Sequence, residues 1–188
     1  MTTTSLLALW LPIVVATVIV FIASSIIHMA PLWHRNAYPP VPDEDGVRGA
    51  LKPFRIPPGD YMLPRARSGA EMRTPEFTKK MEEGPVLVLT SIAPGPVSMG
   101  RSLMLWFLYV LAVSFVSAYV AGRALPPGAH YLDVFRFAGT AAFLAYAGAL
   151  WQMSIWFHRA WRSTFTGTLD GLIYALLTAG TFGWLWPK

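Results

Sequence analysis

The sequence predicts an all-α membrane protein: four transmembrane helices with a small α/β or irregular cytoplasmic insert between helices 1 and 2. Three observations predict it. Hydrophobic residues make up 54% of the 188 and charged residues only 13%, about half the charge fraction usual in soluble domains. Four stretches stay apolar for long enough to cross lipid. The charges gather in one segment: residues 31–100, with Arg101 at the edge, carry ten of the fifteen Lys/Arg and eight of the ten Asp/Glu. The same numbers speak against a soluble enzyme, a disordered chain and a collagen-like fibre.

The first span runs from about Leu6 to His28 without a charged residue, and at 1.5 Å per residue reaches about 34 Å. Met1–Ser5 lacks the basic start of a signal peptide, so the span reads as a retained anchor. Pro12 falls in its early turns, where a missing N–H costs least. The second span is about Ser102–Gly122, and the third is about Tyr131–Phe157, following the Pro126-Pro127-Gly128 turn. The fourth is about Thr168–Trp186, after a Ser/Thr-rich link, Ser163–Gly167. Short connections make helices 2, 3 and 4 antiparallel neighbours. The chain thus divides into helix 1 (1–30), the insert (31–100) and helices 2–4 (101–188).

Within the insert, prolines punctuate several local signals. Asp43-Glu44-Asp45 starts a short helix that ends before Pro53. Thr74-Pro75-Glu76-Phe77 supplies an N-cap, a proline at the first helical position and an early acid, and Gly84 supplies the stop. Pro85–Thr90 reads as a buried strand, with Gly59–Leu63 as its partner. Basic residues set the topology. Near the spans, Arg35, Arg101, Arg159 and Arg162 lie on the insert's face, against Arg123, Arg136 and Lys188 on the other. By the positive-inside rule the insert is cytoplasmic and both termini are periplasmic.

Helix 4 carries the most interpretable chemistry. Asp170, Tyr174, Thr178 and Thr181 share one face at helical spacing. Beside them Gly171, Ala175 and Ala179 form a small-residue ladder, which Ala141, Ala145 and Ala149 on helix 3 and Ser114, Ala118 and Gly122 on helix 2 would meet. The plainer meaning is close helix packing; the sharper one is a polar pathway for protons or a small solute. Asp170 is expected in the first turn of its helix, where the dipole favours a carboxylate. Its possible partners are Arg101, Arg159, Arg162 and His158. His28 and His158 end two different spans at the same interface, with His34 six residues after the first. That pair is the candidate for a cofactor, ligating haem iron or, with Asp170, a divalent metal. No His-x₃-His or Glu-x-x-His spacing supports a metal centre, and none is assigned. Asp133 and Arg136, three apart, form a local ion pair.

The chain has no cysteine, which removes disulfides, thiolate metal sites and a thiol nucleophile. No phosphate-binding, dinucleotide-binding, nucleophile-elbow or zinc-protease motif occurs. Its net charge of +5 belongs to anionic lipid and not to nucleic acid, since no basic stretch is interleaved with aromatics.

The stretches Gly95–Gly100, Ala138–Tyr146 and Asp170–Pro187, together with Gly59-Asp60-Tyr61-Met62, resemble a family of small bacterial four-helix membrane proteins with no assigned activity. The resemblance implies a bacterial inner membrane and brings no site residue. The function expected first is non-enzymatic: a structural, assembly or accessory component whose insert meets other membrane subunits. The alternative is a homo-oligomeric transporter or channel lined by the polar face of helix 4. A haem- or quinone-linked redox subunit is third.

Overall fold

Three helical stretches are long and apolar enough, by length and composition, to cross a membrane: Leu6–Met29, Met99–Ala124 and Tyr131–Phe157. The structure is a computed structural model that describes residues 3–30 and 33–188. Its first helix, α1 (Trp10–Met29), follows a single tight turn, Leu6–Leu9, which Ser5 caps by accepting from the Ala8 N–H. Helix α4 (Met99–Ala124) is capped by the Ser98 hydroxyl, which accepts from the Arg101 N–H. Helix α7 (Trp161–Trp184), at 24 residues, is comparably long but less apolar, because Thr, Gly and Asp170 occupy much of it.

The third apolar stretch is not one regular helix. It consists of α5 (Tyr131–Phe143), a wide π turn (Leu144–Gly148) and α6 (Leu150–Phe157). A π turn holds one residue more than an α turn, so everything after it is rotated by about 100°. Tyr109 of α4 donates to the Ala145 carbonyl across this turn at 2.7 Å.

These helices form a ring in which α1 packs on α4 and α7, and α5 packs on the same two. Backbone bonds fix their directions. The Thr4 N–H donates to the Gly122 carbonyl and its hydroxyl to the Leu125 carbonyl, both at 2.9 Å, tying the start of α1 to the end of α4. At the same end the Gly128 N–H donates to the Pro187 carbonyl at 2.8 Å, and the Trp186 indole to the Pro126 carbonyl at 3.0 Å. The four long segments therefore alternate in direction.

Two clusters fill the interior. Leu9, Ile13, Ala118, Val134 and Phe182 pack at the end holding the termini; Val20, Ile27, Val110, Tyr146 and Tyr174 pack toward the other. The outward stripe of α1 is Leu11, Val14, Val18, Ile22 and Ile26, all exposed, at helical spacing. An exterior of large apolar residues, around an interior where Leu9, Val110 and Phe182 share space with buried Ala, Ser and Thr, reverses the surface of a soluble bundle.

Residues Pro39–Val97 form a separate unit. Helix α2 (Glu44–Leu51) is capped by Asp43, and α3 (Pro75–Glu83) by Thr74 with Gly84 as its stop. Strands β1 (Gly59–Leu63) and β2 (Leu87–Ser91) pair antiparallel, with Gly59 opposite Ser91 and Leu63 opposite Leu87. The expected partner strand is the one found. The expected burial is not: no residue of this unit is buried, and Met62, Leu63, Leu87 and Val88 are exposed. A two-stranded ribbon with nothing stacked on it cannot close a core.

The fourth helix begins at Trp161 rather than near Thr168. The supposed link is helical, and its hydroxyls are accommodated by bonding back to the preceding turn: Thr166 donates to the Arg162 carbonyl and Thr168 to the Thr164 carbonyl. Thr164 also meets Ser154 of α6 at 2.7 Å.

Candidate functional site

The site is built where α1 ends. His28 lies in its last turn, and its Nδ1 is 2.9 Å from the Ser24 carbonyl one turn earlier. A carbonyl only accepts, so Nδ1 carries the proton and Nε2 keeps its lone pair. Ser24 is itself held, accepting from the Trp106 indole of α4 at 2.7 Å and donating to the Phe21 carbonyl at 2.9 Å. Ala30 then leaves the helix with ψ of 141°, the extended geometry that a following proline requires.

Beyond α1 the chain brings two side chains onto α7. The Trp33 indole donates to Asp170 Oδ1 at 2.7 Å. The His34 ring stacks on His28, centroids 4.6 Å apart and planes within 14°. His34 Nε2 stands 2.8 Å from Asp170 Oδ2, yet out of line for a hydrogen bond, so among the described residues this buried nitrogen has no hydrogen-bonding partner. The Asp170 side chain is only 7% exposed. Ligand atoms of His28, His34 and Asp170 all lie within 4.8 Å of one another.

Aromatic rings floor the site on the bundle side. Trp106, Tyr146 and Tyr174 pack together with centroids 5.5–6.4 Å apart. Among the described residues the buried Tyr146 and Tyr174 hydroxyls have no hydrogen-bond partner, nor do those of Ser114 and Ser117.

The predicted polar face of helix 4 is inside the bundle: Asp170, Tyr174, Thr178 and Thr181 are all buried. The Thr178 and Thr181 hydroxyls, however, donate to the Tyr174 and Leu177 carbonyls at 2.8 Å, so they offer no free row of donors. The ladder of Gly171, Ala175 and Ala179 is buried as well. Its counterpart is shifted. Ala145 and Ala149 are exposed and Ala141 is half-buried, whereas Ala138, Ala142 and Ala147 are buried. Ala138, Ala141 and Ala142 precede the π turn; past it, one extra residue puts Tyr146 and Ala147 on the buried face and leaves Ala145 and Ala149 outside.

Two site expectations are corrected. His158 does not join the cluster of His28 and Asp170: it is exposed and takes the left-handed conformation (φ 54°) that turns α6 into α7. Its place is taken by His34. Asp170 is the tenth residue of α7, about 13 Å beyond the helix start, and so outside the reach of the dipole's first turn. Its partners are Trp33 and His34 instead of an arginine or His158. The expected Asp133–Arg136 pair forms at 3.4 Å. Trp33 carried no signal in the sequence, and His34 only its spacing from His28. Comparison with family models, with curated proteins and with solved structures finds no match to this chain.

Proposed function

We propose that this chain is a four-helix integral membrane protein with an accessory or assembly role in a larger membrane complex, and that residues 39–97 are its partner-binding part. The fourth span in this reading is α7. It runs 24 residues, about 36 Å, and turns Phe165, Leu169, Leu172 and Leu176 outward. Its polar residues lower its mean hydropathy yet face the other helices. The basic residues at the end where α1 finishes and α4 begins support a cytoplasmic insert in a bacterial inner membrane.

One observation carries the role. The unit Pro39–Val97 has well-capped helices and a registered ribbon, yet buries no residue. It leaves Phe54, Met72, Ile92 and Val97 at least 60% exposed. Apolar surface left in water costs roughly 25 cal/mol per Å², and covering it is what a partner surface does. Tagged protein solubilised from native membranes should co-purify with a defined larger assembly. Deleting residues 40–95 should abolish that assembly while the truncated chain still fractionates with the membrane. A full-length chain that runs alone, or an assembly that survives the deletion, would defeat the reading.

A further inference from the structure

We propose that His28, His34 and Asp170 form a binding site for one divalent first-row transition metal ion, held by two imidazole nitrogens and one carboxylate oxygen. The three ligand atoms lie within 4.8 Å of one another. A tetrahedral metal about 2.0–2.2 Å from each ligand holds ligand atoms roughly 3.4 Å apart, so the widest separation closes by up to ~1.5 Å while the 2.8 Å His34–Asp170 pair opens slightly. Two imidazoles on rotatable Cβ–Cγ bonds can close that gap.

The surroundings are those of a ligand set more than of an ordinary ion pair. A metal-binding histidine usually donates its other ring N–H to a carbonyl or carboxylate, which fixes its tautomer. His28 does this to the Ser24 carbonyl at 2.9 Å. Asp170 has one oxygen occupied by the Trp33 indole at 2.7 Å and the other turned to His34. The Nε2 of His34 is buried, beside that oxygen, and among the described residues no hydrogen bond satisfies it. A buried carboxylate with no arginine or lysine against it is costly, and among the described residues His34 is its one charged-type partner. A dication supplies the missing charge and satisfies the orphan nitrogen together.

Donor chemistry narrows the ion. Two imidazoles and one carboxylate suit Zn²⁺, Fe²⁺, Co²⁺ or Ni²⁺, whereas Mg²⁺ and Ca²⁺ prefer oxygen throughout. Three protein ligands leave at least one position for water or a small ligand. The rings are now stacked within 14°, so binding must tilt them until both lone pairs point at one ion.

The test uses the purified full-length chain in nanodiscs, stripped with chelator and titrated with Co²⁺. Visible d–d absorption should saturate at one ion per chain, and elemental analysis after Zn²⁺ loading should give the same stoichiometry. His28→Ala and His34→Ala should each weaken binding at least 100-fold. Trp33→Phe should weaken it roughly 10- to 100-fold. His130→Ala and His158→Ala should leave it unchanged, and excess Mg²⁺ should not displace Co²⁺. Far-UV circular dichroism and size exclusion check that each variant is folded, with His34→Gln as a second, milder substitution. The proposal is overturned if the wild-type chain takes up under a tenth of an ion. It also falls if binding survives the folded His28/His34 double variant, or if Mg²⁺ competes.

Discussion

At Gly139 and Gly171 a missing side chain sets how closely α5 and α7 approach. A Cβ on Gly139 would lie 2.9 Å from the Ala179 Cβ, and one on Gly171 would lie 3.0 Å from the Ala147 Cβ. Both neighbours are methyl groups fixed to backbone, so they yield only if a helix moves. Gly139→Ala and Gly171→Leu should each destabilise the detergent-solubilised protein by about 1–3 kcal/mol, read from denaturant unfolding followed by tryptophan fluorescence. Gly100→Ala, with nothing within 4 Å, should be neutral or slightly stabilising. At this scale the sequence was a partial guide. Gly171 and Asp170 are visible as unusual residues on an apolar helix. The partners of Asp170 are not, because Trp33 and His34 reach it through the path of a connecting segment, and no periodicity encodes that path.

Among the elements, the interrupted third span has the widest consequences. Residues 131–157 read as one apolar run, and an extra residue in one turn leaves that run equally apolar. Its effect is a change of face, which moves the contact with Gly171 onto Ala147. The turn is tied to α4 by the Tyr109 hydroxyl on the Ala145 carbonyl at 2.7 Å. Tyr109→Phe should therefore destabilise the bundle by about 0.6–1.5 kcal/mol in the same unfolding experiment. The extra loss should be absent when Tyr109→Phe is combined with a deletion of Ala145 that restores a regular helix. The insert shows the opposite situation. Its helix caps at Asp43, Thr74 and Gly84 and its strand pairing were readable, since capping and turn chemistry act over three or four residues.

For the whole molecule, the bonds of Thr4 to Gly122 and of Gly128 to Pro187 put both termini at one end of the bundle. The absence of cysteine makes this directly measurable. Single cysteines at Thr3, Gly69 and Lys188 should react with a membrane-impermeant maleimide from opposite sides. In right-side-out vesicles positions 3 and 188 should label and 69 should not; labelling of 69 alone would reverse the orientation, and labelling of only one terminus would break the four-span reading. The sequence by itself determined the apolar stretches, their connection lengths, the caps and the two paired strands. Each of these rests on composition or on chemistry between near neighbours. Only the tertiary structure decided that His34 and not His158 joins His28 and Asp170, that Asp170 lies well inside α7, and that Ala147 faces Gly171. Those outcomes follow from helix packing and from one extra residue in a turn: Asp170 meets Trp33 across 137 residues of chain, and the π turn is tied to Tyr109, 36 residues away, distances over which no local pattern operates.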